Sequence, residues 1–213
     1  AQRSGSYQFV SLIFVAMALF VLFGLNYQGR MRIGLKRPER WSKVLEVFGW
    51  GITAAVIMGL AANYNYELTD ENWFVYISKS FGDVPSPLST QERWIYFGIF
   101  AWIGMTFSPI GEELFYRGLI HESLVPQLGQ KPATIIDSLA FSLVHLAHFG
   151  MYPTADGWGF YPYAAFLWVG FLVLTCIVFT LARNATGSIW GAVAAHAGYN
   201  VGMNAIIFFY ILD

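Results

Sequence analysis

The chain has 213 residues, 56% of them hydrophobic and only 12% charged, with a formal net charge of −1 and a mean hydropathy of +0.51. Soluble domains run at about 45–50% apolar and about 25% charged residues, so a soluble fold of this length could not hide so much apolar surface. The balance excludes a disordered chain, a nucleic-acid-binding module and a typical cytosolic enzyme, and it points to an integral membrane protein.

A membrane-crossing helix needs about 20 mostly apolar residues. The first candidate, residues 9–25, is uncharged and flanked by Tyr7 and Tyr27, which suits interfacial aromatics. It is too long for a signal-peptide core and reads as a retained anchor. The chain begins at Ala1 rather than Met, which leaves room for a further helix upstream. The second span is 44–62. A polar stretch, 63–92, follows and holds one short interfacial helix around 73–81. The third span, 94–108, ends at Pro109, and a partly amphipathic helix runs over 110–125 until Pro126 and Gly129 stop it. Span four starts after Pro132 and ends near Phe149. An aromatic, glycine-rich loop to Phe160 precedes span five, 161–182. Span six begins after Gly187 and runs to Asn204, with an apolar tail to Leu212. The expected fold is an all-α, polytopic transmembrane bundle of about six spans plus short interfacial helices, a single integral-membrane domain over 1–213. The lone cysteine, Cys176, cannot form an internal disulfide and reads as a small core or lipid-facing residue.

Orientation follows from the charges. Arg30, Arg32, Lys36, Arg37, Arg40 and Lys43 lie between spans one and two, and they are half of the 12 Lys and Arg residues. The next loop carries Glu67, Asp70, Glu71, Asp83 and Glu92 against Lys79 and Arg93. By the positive-inside rule the basic loop 30–43 is cytoplasmic. Counting onward puts Lys131 and Arg183 on the same side and Asp156 opposite.

A charge at the bilayer centre costs about 2.5–3.5 kcal/mol, so polar groups at membrane depth are functional candidates. Three clusters qualify. In the first, Pro109 and Gly111 are expected to break the span so that a new helix starts near Glu112 and Glu113, its N-terminal amides favouring the carboxylates. Glu113 and Arg117 are spaced for an i,i+4 ion pair. Glu112 points about 100° away and is left for chemistry. Taken alone, this is equally well a capped interfacial helix with a surface pair. The second cluster has Asp137, Phe141 and His145 on one helical stripe, His145 lying about 16 Å along its helix. His148 is expected to be a packing residue and His121 an interfacial one. The third sets His196 and Asn200 on one face of span six, His196 about 13 Å along. Two histidines, an amide and a carboxylate at shared depth make a catalytic constellation or an ion relay.

In this order, the clusters resemble the CAAX-protease and bacteriocin-processing family of intramembrane glutamic endopeptidases. The carrying residues are Pro109, Glu112, Glu113, Arg117 and Gly118, then Phe141 with His145, then His196 with Asn200. The resemblance covers 94–204, which it marks as the catalytic core. It implies that Glu112 and His145 hold and activate a water, and that His196 and Asn200 stabilise the oxyanion. Glu113 and Arg117 would support the site, with Arg117 also available to meet substrate. No metal and no cofactor are implied, and no nucleic acid. The partners would be the lipid bilayer and a peptide or protein substrate, lipidated or membrane-anchored in some members. Two rivals stand beside this reading. A zinc metalloprotease would use the same Glu and His types, but the chain has no H-E-x-x-H segment. A transporter or non-enzymatic immunity protein would use them as a proton relay.

Overall fold

Helix length and polarity sort the chain into layers. The computed structural model describes residues 10–82, 84, 85 and 87–213. In chain order the helices are α1 (Val10–Gly24), α2 (Tyr27–Arg32), α3 (Trp41–Tyr66), α4 (Trp73–Ser78), α5 (Thr90–Glu113), α6 (His121–Leu128), α7 (Gln130–Val144), α8 (Pro162–Thr186) and α9 (Ile189–Ile206). The architecture is the expected all-α bundle, with one addition. Where a loop was expected, β1 (Met151–Thr154) and β2 (Gly157–Phe160) form an antiparallel hairpin with Met151 opposite Phe160. Among the described residues, four helical runs are long and apolar enough to cross a membrane: α3, the continuous run Thr90–Leu128, α8, and Ile189–Ile211. At 15 residues each, α1 and α7 reach about 22 Å, short of an apolar layer of about 30 Å. Tyr7, Phe9 and Asp83 lie outside the described residues.

The local signals explain most of the boundaries. Ser89 and Glu92 close a capping box at the start of α5. Pro162 opens α8, where its missing N–H costs nothing, and Ser188 caps α9 by accepting from the Trp190 amide. One boundary differs from expectation. Pro109 does not end the third span; α5 runs through it to Glu113, continues as a π-helical stretch over Leu114–Ile120, and passes into α6. The glutamates therefore sit inside a continuous helix and not at a helix N-terminus. Pro126 is likewise inside α6, and Gly129 makes the stop. The short helix α4 packs into the bundle: Trp73 and Phe74 are fully buried, and Trp73 packs against Trp168 and Phe149.

The tightest interface joins α3 to α9. A Cβ added at Gly51 would lie 1.7 Å from the Ala195 carbonyl oxygen, and one at Gly198 would lie 2.0 Å from the Phe48 carbonyl oxygen. The two backbones touch at these positions, as small residues permit between helices in membranes. Away from such contacts, Leu45, Leu60, Trp102, Phe166 and Leu174 are exposed around the bundle, the apolar belt of a protein solvated by lipid. The bundle has two unlike ends. At one, the segment 34–39 bonds to the α8–α9 turn through Ile189 N–H to Gly34 and Ser188 Oγ to Lys36. At the other, Tyr76 of α4 donates to the Met151 carbonyl of the hairpin and Tyr210 to Asn63.

Candidate active site

Three helices converge on the middle of the bundle. From α5 comes Glu112, buried at 5% exposure, and from α9 comes His196, buried at 4%. His145 closes the C-terminal end of α7, where the helix tightens into a 3₁₀ turn over His145–Ala147. The Glu112 carboxylate is flanked on both oxygens, Oε1 lying 3.7 Å from His145 Nε2 and Oε2 lying 3.7 Å from His196 Nε2. Both rings are fixed from behind. His145 Nδ1 is 2.8 Å from the Phe141 carbonyl, which can only accept, so Nδ1 carries the proton and Nε2 presents a lone pair. His145 also stacks on Phe141, and Trp168 of α8 donates to its carbonyl. His196 Nδ1 is 2.9 Å from Glu113 Oε1, and its ring stacks on Phe179.

Asn200, one turn beyond His196, is tied to the turn of α5 that precedes Pro109: its amide donates to the Gly104 carbonyl at 2.8 Å and to Ser108 Oγ at 3.2 Å. Ser108 stands one turn before Glu112 on the same helix. The Asn200 side chain thus holds the stretch of α5 that carries the glutamate. Ser108 was not singled out as a site residue from sequence, because a serine beside a proline carries no signal of its own.

Behind the carboxylate runs a chain of buried polar groups. Glu113 Oε2 pairs with Arg117 Nε at 3.3 Å, Arg117 Nε lies 3.7 Å from Asp137 Oδ1, and Asp137 Oδ2 is 3.1 Å from His121 Nδ1. His121 Nε2 ends the chain at Gln130, 3.0 Å away. Arg117 is 0% exposed, with its guanidinium 4.5 Å above the Phe141 ring and 5.5 Å from the Phe179 ring. It is sealed away from any ligand in the cavity. His121 is 1% exposed, turned inward onto Asp137 and Gln130 of α7. Cys176 belongs to the core.

The cavity in front of the site has a volume of about 760 Å³, and Glu112, His145, His196, Asn200 and Ser108 all line it. His148 lines it too, 5.2 Å from the His145 ring. The far wall is made by residues of α4 and the turn after it, including Ile77, Phe81 and Gly82, with Met203 of α9. The cavity therefore reaches toward the acidic end of the bundle. Among the described residues no group of three His, Cys, Asp or Glu side chains is arranged to hold a metal ion.

A carboxylate between two oriented imidazoles thus lies at the floor of a cavity in an apolar helical bundle, the concave, polar-floored place where a functional site is expected. Residues 94–202, just over half of the chain, match the model of the Rce1-like family, type II CAAX prenyl endopeptidase, and the chain belongs to that family. No curated protein and no solved structure matches it. The chain is thus an integral membrane protein of the intramembrane protease kind, a peptidase whose substrate is a peptide and whose surroundings are the bilayer.

Proposed function

We propose that the chain is a glutamic-type endopeptidase with Glu112 as the general base, and that 94–204 is its catalytic core within a single integral-membrane domain. The observation that carries this reading is the flanking of Glu112 by two Nε2 atoms at 3.7 Å each. That spacing is longer than a direct hydrogen bond and is the spacing a bridging water spans. A water between Glu112 and His145 gives one proton to each as a hydrogen bond. On attack at the scissile carbonyl, its oxygen bonds to the carbon while Glu112 takes the proton and later passes it to the leaving amine. His196 stands as donor to the oxyanion, and Asn200, whose two N–H groups go to Gly104 and Ser108, joins it by turning one of them from the serine. Because Nδ1 of His196 faces the Glu113 carboxylate, the form whose Nε2 also donates is the imidazolium, with Glu113 as its counter-charge. The supporting roles of Glu113 and Arg117 follow from that contact. The test is cleavage by the purified protein in detergent, read together with the membrane peptidome of cells carrying wild type or Glu112→Gln. Peptides should accumulate uncut with the variant. Equal cleavage by both would overturn the base assignment.

We further propose a multi-pass orientation with the basic loop 30–43 in the cytoplasm, carried by the same positive-inside asymmetry. In that orientation the cavity wall made by Ile77, Phe81 and Met203 lies on the side away from the cytoplasm. Cysteines placed at Arg37 and Asp70 report the orientation with an impermeant thiol reagent in intact cells, and the buried Cys176 stays in place without interfering. Labelling at 70 alone is expected; labelling at 37 alone reverses the orientation.

A further inference from the structure

The basic end of the bundle holds a second cavity, of about 690 Å³, that shares no lining residue with the catalytic one. It lies where the segment after α2, the start of α7 and the end of α8 meet. Its charged lining is Arg32, Lys36, Lys131 and Arg183 against one carboxylate, Glu122. That carboxylate is committed: Arg183 Nη2 lies 2.8 Å from it and Arg32 Nε 3.8 Å. Among the described residues, Lys36 and Lys131 have no carboxylate within ion-pair distance. Two uncommitted ammonium groups at the mouth of a cavity with a positive surplus call for an anion.

The rest of the wall says which kind. Ile135, Ile177 and Leu181 line the same cavity, and Ile135 and Leu181 are 52% and 54% exposed on the lipid-facing sides of α7 and α8. The charged part sits at helix ends, at headgroup depth, and the apolar part runs from it toward the bilayer interior. We propose that this cavity binds an anionic glycerophospholipid, its phosphate between Lys36 and Lys131 and an acyl chain along Ile135, Ile177 and Leu181. Inorganic phosphate would satisfy the lysines but leave that apolar strip without a purpose. Basic pockets between membrane helices on the cytoplasmic side recognise lipid headgroups by this chemistry.

The full chain in neutral detergent is titrated with dioleoylphosphatidylglycerol or dioleoylphosphatidylcholine, and bound lipid is counted by native mass spectrometry. The expected result is one retained phosphatidylglycerol at an affinity at least about tenfold above phosphatidylcholine. Each lysine near a membrane surface contributes about fivefold, so Lys36→Gln with Lys131→Gln should weaken phosphatidylglycerol about thirtyfold. A control pair, Lys43→Gln with Lys79→Gln, removes two exposed lysines outside the cavity and should bind like wild type. Both cavity lysines are exposed and unpaired, so their loss leaves the lipid-free melting temperature unchanged. Equal binding of the two lipids, or full binding by the double variant, overturns the proposal. So does displacement of phosphatidylglycerol by millimolar inorganic phosphate, which would mark a soluble-anion site.

Discussion

Glu112 and Glu113 are neighbours on one helix and live in opposite surroundings. Glu112 faces a cavity and is approached by two imidazoles at 3.7 Å, with no lysine or arginine within ion-pair distance among the described residues. Glu113 faces a sealed interior and is held by His196 at 2.9 Å and Arg117 at 3.3 Å. A step of about 100° around the helix separates a carboxylate that can change partners from one that cannot. Reactivity here comes from what the side chain is left to do, not from its identity.

That contrast can be broken most severely at the cavity. Glu112→Gln should lower turnover by about 10²–10⁴, the usual worth of a positioned base, with the melting temperature close to wild type. Asn200→Ala comes next, with an expected loss of about 10²–10³ in kcat for an oxyanion donor. Ser108→Ala sharpens the comparison, since Ser108 accepts one of the two Asn200 N–H groups one turn before Glu112. If Asn200 reaches the oxyanion, the serine variant loses only a few fold; a loss as deep as that of Asn200→Ala would show that the amide acts through the serine. Behind the cavity the readout changes from rate to stability. Arg117→Met leaves Glu113 and Asp137 buried without their cation and should cost about 3–5 kcal/mol, measured as a shift in the denaturation midpoint. The smallest effect belongs to metal removal. Asn200 is a poor zinc ligand, and activity is expected to survive exhaustive treatment with a strong chelator. Loss that zinc alone restores would promote the metalloprotease.

Much of this site is legible in the sequence because helical spacing carries it. The i,i+4 pairs Glu113–Arg117 and His196–Asn200 announce shared faces, and composition alone declares the membrane. What the sequence hides is the consequence of tertiary partners. Pro109 looks like a terminator, yet α5 continues through it, and the turn before it is tied from α9 by the Asn200 amide on the Gly104 carbonyl. His121 extends the Glu113–Arg117 stripe as the sequence suggests, but its partners, Asp137 and Gln130, sit across a π-helical stretch that no residue pattern marks. The hairpin escapes notice because its strands are four residues long and contain Pro153 and two glycines.

The contact of α3 with α9 has a mechanical side. With Gly51 against the Ala195 carbonyl and Gly198 against Phe48, α9 cannot shift without carrying the 26-residue α3 along. His196 and Asn200 are therefore mounted on the stationary jaw. His145 is mounted differently, at the tip of a 15-residue helix whose last turn leaves Leu143 and Val144 exposed. Its carbonyl is tied to α8 by the Trp168 indole at 3.2 Å. The α7 tip is held by that indole and by Phe149, buried between Trp73 and Trp168, so the third group of the site is anchored through α4 and α8 and not through the α3–α9 pair.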